Sequence, residues 1–64
     1  MIYLYYDDTL WRAAGHDQFF ETLETHIEGE WKPATGDLFP SQQDYSHMRE
    51  ISEAEAERLI AAKN

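Results

Sequence analysis

Residues 2–6 of this chain read Ile-Tyr-Leu-Tyr-Tyr and are followed directly by Asp7 and Asp8. Aromatic and β-branched residues favour a strand, and a pair of acidic residues is typical of the point where a strand ends. Both faces of the segment are apolar, which is the pattern of a strand covered on both sides. We therefore predict a strand at residues 2–6, in the centre of a sheet.

The segment that follows, residues 9–14, is compatible with two structures. Asp8 or Thr9 can cap a short helical turn that Gly15 would end. The same residues also fit a strand, because Leu10 and Trp11 are both favourable there. The sequence leaves this choice open.

Residues 17–28 (DQFFETLETHIE) show a period close to that of a helix. Spacings of three and four residues place the large apolar side chains on one face, and Gly29 follows where a helix commonly ends. We predict a helix over residues 17–28. Its apolar face would hold Phe19, Phe20, Leu23 and Ile27.

The second half of the chain is less regular. Residues 30–34 contain Pro33, which lacks an amide hydrogen and so favours an edge strand. Residues 35–37 form a turn signal, and residues 38–43 read as a loop that Phe39-Pro40 anchors to the core. Residues 45–51 alternate loosely and are predicted as a strand.

A final helix begins after Ser52, because Ser52 and Glu55 have the spacing of a capping box. It ends near Lys63 and would pack Ala56, Leu59 and Ile60 inward. The order of elements predicts one α+β domain over residues 1–64. We expect a small, mostly antiparallel sheet of two to three strands with two helices packed on it.

Composition limits the partners this chain can have. Thirteen Asp and Glu residues against five Lys and Arg give a net charge of -8. This charge disfavours direct contact with nucleic acid and with anionic membranes, and favours a basic protein surface. The chain has no Cys and no apolar run long enough to span a bilayer, so we expect a cytoplasmic protein. We also expect a monomer rather than an oligomer.

No motif indicates catalysis. The chain has no P-loop, no dinucleotide-binding fingerprint and no nucleophile elbow. His16, His26 and His47 do not have the spacing of known metal-ligand patterns. We therefore expect no enzymatic activity, no metal site and no cofactor.

The predicted helix at residues 17–28 would carry a row of carboxylates: Asp17, Glu21, Glu24 and Glu28. They would share a band about 60° wide and about 16 Å long. Like charges at these spacings destabilise a helix, here by on the order of 1 kcal/mol. A row kept at such a cost is a candidate binding surface for a basic partner, and the neighbouring loops would extend it with Asp7, Asp8, Glu30 and Asp37.

The acidic residues of the last helix have a different explanation. Glu53, Glu55 and Glu57 lie in its first turns, where the helix dipole favours negative charge. The aromatic residues Trp11 and Trp31, with Tyr45, are either core residues or specificity contacts beside the acidic row.

Size, acidity and the absence of a catalytic motif together resemble the anti-CRISPR proteins, which are small phage-encoded inhibitors. The segments MIYLYYDDTLWRAAGHDQFF (1–20) and EGEWKPATGDLF (28–39) carry the resemblance, which is to inhibitors of type I surveillance complexes and of type I-C in particular. It implies a DNA mimic that occupies a basic DNA-binding surface of a Cas subunit in the host bacterial cytoplasm.

A second function fits the same sequence. The protein would then be a small phage or antitoxin-like interaction module that binds its partner through an apolar patch. Its acidity would serve solubility alone.

Overall fold

The structure is a computed structural model that describes residues 1–63. Within these residues the chain forms one five-stranded antiparallel sheet with strand order β4-β3-β2-β1-β5. The strands are β1 (Ile2–Tyr6), β2 (Thr9–Ala13), β3 (Glu24–Ile27), β4 (Glu30–Pro33) and β5 (Arg49–Ile51). The helices are α1 (Phe19–Thr22), α2 (Gln42–His47) and α3 (Glu53–Lys63), with a 3₁₀ turn at Gly36–Leu38. The α+β class is confirmed, but the sheet is larger than the two to three strands predicted.

β1 is an interior strand, as its apolar sequence predicted. It pairs with β2 on one side, where Leu4 lies opposite Trp11, and with β5 on the other, where Tyr3 lies opposite Ile51. The open choice at residues 9–14 is also answered, because Thr9–Ala13 is a strand. The aromatic residues at the start of the chain therefore build the middle of the sheet.

The predicted helix over residues 17–28 is wrong. Only Phe19–Thr22 is helical, Leu23 has an extended backbone, and Glu24–Ile27 is strand β3. Pairing with β2 and β4 satisfies the backbone of β3 on both sides, and the bond from the amide of Ala34 to the carbonyl of Leu23 (3.0 Å) continues the β3–β4 ladder. A helix here would have left β2 without its second neighbour.

The predicted strand at residues 45–51 is shorter than expected. Strand β5 contains only Arg49–Ile51, and the preceding residues form α2. Ser41 caps this helix: its hydroxyl accepts from the amide of Asp44 (3.1 Å), and Asp44 accepts from the amide of Ser41 (3.3 Å). Ser41 and Asp44 have the spacing of a capping box, Ser-x-x-Asp, which is a sequence signal for the start of this helix. The predicted loop at residues 38–43 is accordingly interrupted at Gln42.

Two other predictions are confirmed in their main point. β4 lies at the edge of the sheet and ends at Pro33. α3 follows Ser52, whose hydroxyl accepts a hydrogen bond from the amide of Glu55 (3.1 Å). The anchor predicted at Phe39-Pro40 is half correct, because Pro40 is buried and Phe39 is exposed.

The sheet is covered on both faces. One face carries the main core, and the half-buried Phe19 and Met48 pack against it. On the opposite face the Tyr3 hydroxyl reaches Glu53 of α3 (3.4 Å), and α3 contacts β1 there. No helix in residues 1–63 is long and apolar enough to cross a membrane. The buried residues of the main core are Leu4, Trp11, Ala13, Leu23 and Ala34.

Candidate functional site

Two hairpin turns lie side by side at one end of the sheet. Asp7 and Asp8 connect β1 to β2, and Glu28 and Gly29 connect β3 to β4. β2 and β3 are antiparallel neighbours with Trp11 opposite Thr25, so both turns fall at the same end. Strand pairing thus brings together acidic residues that are about twenty positions apart in the chain.

Both turns have the left-handed backbone that a two-residue hairpin requires. The φ angles are 52° at Asp7, 64° at Asp8, 52° at Glu28 and 84° at Gly29. Positive φ at both central positions is the mark of a type I′ turn, for which Asn-Gly is the preferred sequence. In the described residues, three positions other than glycine have positive φ, and all three are carboxylates.

We call Asp7, Asp8, Glu28 and Glu30 the hairpin end. All four are exposed. The Nζ atom of Lys32 lies 3.9 Å from Glu30 Oε1, in a solvent-exposed pair of little energetic weight. Asp8 Oδ1 accepts a hydrogen bond from the Tyr5 hydroxyl (3.1 Å).

An open groove of about 520 Å³ runs between the two turns. Carboxylate-bearing turn residues stand on both of its sides, so a cationic side chain entering it would meet negative charge from each. The residues that line it are Asp8, Thr9, Thr25, His26, Ile27, Glu28 and Gly29.

The other four predicted site residues do not join this group. Asp17, Glu21 and Asp37 are exposed, and they belong to segments that leave the sheet at the end opposite the turns. Glu24 lies in β3 and forms a salt bridge with Arg12, whose Nε is 2.7 Å from Glu24 Oε1. The predicted four-carboxylate row is therefore wrong as geometry: Glu28 lies at the hairpin end, and the other three members lie at or before the start of β3, towards the opposite end of the sheet.

Arg12 and Trp31 give Glu24 a local structural role. The guanidinium carbon of Arg12 lies 4.3 Å from the centroid of the Trp31 ring, so the arginine both stacks and pairs. Of the three aromatic residues considered as contacts, Trp11 is core, Trp31 is half-buried in this cluster, and Tyr45 is 48% exposed.

The three histidines are separate from one another. His16 Nε2 lies 3.4 Å from Glu50 Oε1, His26 meets Trp31 edge-on, and His47 stacks on Tyr6. Among the described residues no group of three or more His, Asp or Glu side chains is placed to hold a metal ion.

All four hairpin-end residues were predicted from the sequence as part of the site, but Glu28 was predicted at the end of a helix, whereas it lies in a hairpin turn. The sequence signal for the hairpin turn was the pair Glu28-Gly29, preceded by a short segment with the β-branched residues Thr25 and Ile27. The hairpin end can therefore present four carboxylates, at fixed positions, to a cationic surface.

The pKa of Tyr5 depends on Asp8 of the hairpin end. The hydrogen bond to the Asp8 side chain raises the pKa of the Tyr5 phenol, and desolvation and the negative charge of Asp8 act in the same direction. A hydrogen bond with the Asp8 backbone and the positive charge of Arg49 oppose them. We expect Asp8→Asn to lower the Tyr5 pKa towards its ordinary value, measured by NMR titration of the ring carbon that bears the hydroxyl. Asp7→Asn is the control and should leave it almost unchanged.

The same shift predicts a pH dependence of stability. A phenol whose pKa is raised in the folded state contributes stability below its unfolded pKa and loses it as the pH rises through the folded value. Unfolding in urea should show this alkaline loss in the wild type and less of it in Asp8→Asn. Identical alkaline profiles would contradict the Tyr5–Asp8 bond.

No protein-family model, curated protein or solved structure gives a significant match to this chain.

Proposed function

We propose that this protein acts by binding a basic surface of another protein through the hairpin end. The observation that carries the proposal is that two type I′ turns, with three carboxylates among their four central residues, lie at one end of the sheet. Carboxylates at fixed positions on a rigid scaffold can take the place of phosphates opposite Lys and Arg side chains.

The positive φ angles of Asp7, Asp8 and Glu28 support a role for these residues in binding, because folding alone favours other residue types there. A left-handed conformation costs a typical L-residue roughly 1–2 kcal/mol, and Asp less than Glu. Asn or Gly would fit the positions of Asp7, Asp8 and Glu28 at lower cost. Strain that persists at exposed positions, where packing does not dictate the side chain, is common at functional sites.

The resemblance to anti-CRISPR proteins gives the proposal a specific partner. The partner is a Cas subunit of a type I surveillance complex, type I-C first, whose Lys and Arg side chains otherwise contact target DNA. The protein then acts as an inhibitor by DNA mimicry, needs no cofactor, and catalyses no reaction.

Direct binding to a purified type I-C complex tests the proposal. We expect the protein to bind the complex free of DNA, and binding to weaken at least about tenfold between 50 and 500 mM salt, as the Debye length falls from about 14 to about 4 Å. Complex already loaded with target DNA is the control and should not bind. Affinity that ignores salt, or simultaneous binding with DNA, would contradict DNA mimicry.

A further inference from the structure

A group of aromatic side chains is exposed away from the hairpin end. Phe20, Phe39 and Tyr45 are 54%, 45% and 48% exposed, which is unusual for side chains of this size. We call these three residues, together with the half-buried Phe19, the aromatic patch. Phe19 packs against the main core and fixes the patch to it.

The rings of the aromatic patch contact one another. The centroid distances from Phe20 are 5.1 Å to Phe19, 5.3 Å to Tyr45 and 5.8 Å to Phe39, and Phe19 lies 5.7 Å from Tyr45. These are distances of favourable aromatic pairs. Three separate segments, α1, α2 and the residue after the 3₁₀ turn, thus combine into one preformed apolar surface.

An open groove of about 360 Å³ adjoins the aromatic patch and leads to the core. Its volume is sufficient for an aliphatic side chain of a partner. The residues that line it are Leu4, His16, Phe19, Tyr45 and Met48.

The charge around the aromatic patch selects among possible partners. The segments that carry it, residues 16–22 and 36–47, contain four acidic residues and no Lys or Arg. Asp17, Glu21 and Asp37 in these segments are exposed. Aromatic faces and carboxylates both attract Arg and Lys, so the surface is complementary to a cationic partner.

The same charge disfavours the alternatives. A second copy of this chain would bring two acidic segments of equal sign together, and phosphates of a nucleic acid or of an anionic membrane would be repelled. We infer that the aromatic patch docks a cationic amphipathic segment of a partner protein. In that complex an apolar side chain enters the groove and Arg or Lys side chains lie over the exposed rings. This inference is independent of the function proposed for the hairpin end.

A designed peptide provides the test. The probe is a fluorescently labelled helical peptide of Leu and Arg, compared with one peptide in which Ser replaces Leu and another in which Gln replaces Arg. Fluorescence anisotropy should show binding of the Leu-Arg peptide, and at least about tenfold weaker binding of both others. Equal binding of the Leu-Arg and Ser-Arg peptides would mean attraction by charge alone and would overturn the inference.

Protein variants locate the peptide. The double variant Phe20→Ala/Tyr45→Ala should bind at least about tenfold more weakly, whereas Glu53→Gln/Glu57→Gln, in α3 on the opposite face of the sheet, should bind within about twofold of wild type.

Amide chemical shifts of the wild-type protein give a second measurement that needs no variant. Addition of the peptide should change the shifts of residues 19–20 and 39–45. Perturbation confined to residues 7–9 and 28–30, or unchanged affinity of the folded double variant, would overturn the inference. Sedimentation of the free protein as a dimer that Phe20→Ala/Tyr45→Ala dissociates would also overturn it, because a second copy would then cover the patch.

Discussion

Replacing Trp11 with alanine is expected to leave the protein largely unfolded. Trp11 is 3% exposed and lies in β2, between β1 and β3. Loss of a buried tryptophan side chain costs about 3–5 kcal/mol. A single core in a domain this small supplies about 3–5 kcal/mol in total, so the substitution removes most of the available stability. Urea unfolding followed by far-UV circular dichroism measures the effect.

Trp31→Ala is the matched control for this experiment. Trp31 is half-buried in β4, on the face of the sheet opposite the main core, where it contacts the stacked Arg12 and the rings of His26 and Tyr3. We expect it to destabilise the protein by about 1–2 kcal/mol and to leave the fold intact. Equal losses in the two variants would contradict the placement of Trp11 in the core.

A third substitution, Trp11→Phe, separates the contribution of the aromatic ring to stability from that of the indole N–H. Among the described residues, no hydrogen-bond partner is present for the buried Trp11 Nε1. A buried donor without a partner costs about 1–3 kcal/mol. Trp11→Phe removes this donor and keeps an aromatic ring, so it should destabilise far less than Trp11→Ala.

The parts of the fold that the sequence predicted are those decided locally. The apolar run at residues 2–6 could only be buried in the middle of a sheet, and Ser52 with Glu55 marked the start of α3. Pro33 placed β4 at an edge, because a proline cannot donate to a second neighbour. These signals depend on residues close together in the chain.

The error at residues 17–28 arose where a local period competed with non-local pairing. The spacing of Phe19, Leu23 and Ile27 fits a helix, but β2 needs a neighbour on its second side, and β3 supplies it. Sequence periodicity alone does not contain that requirement. The predicted crowding of like charges along the helix was a physical argument against it, because that cost disappears when the carboxylates separate.

In the candidate site, too, local sequence signals predicted some features, and non-local strand pairing decided the others. Residue type identified the carboxylates, but strand register decided which of them lie together. Register placed Glu28 beside Asp8, and paired Glu24 with Arg12. The exposed rings of the aromatic patch were missed because Phe20 had been assigned to the apolar face of a helix that does not form.

The hairpin end gives the second large expected effect, in which stability and binding change in opposite directions. We expect the triple variant Asp7→Asn/Asp8→Asn/Glu28→Asn to be more stable than wild type. Asn adopts positive φ readily, so relief at Glu28 alone should contribute about 1 kcal/mol. For a domain of this size that raises the melting temperature by about 4–8 °C, measured by thermal unfolding.

The same triple variant should lose its partner. It removes three of the four carboxylates of the hairpin end, and we expect affinity for a type I-C complex to fall on the order of 100-fold. Glu53→Gln/Glu55→Gln/Glu57→Gln is the matched control: each variant changes the net charge from -8 to -5, but the control leaves both turns intact. If the two variants lose affinity equally, net charge rather than the hairpin end determines binding. If the turn variant gains stability and still binds as wild type does, the hairpin end is not the binding site. A gain in stability with a selective loss of binding would mean that the strained carboxylates are maintained for the partner, since folding alone favours their replacement.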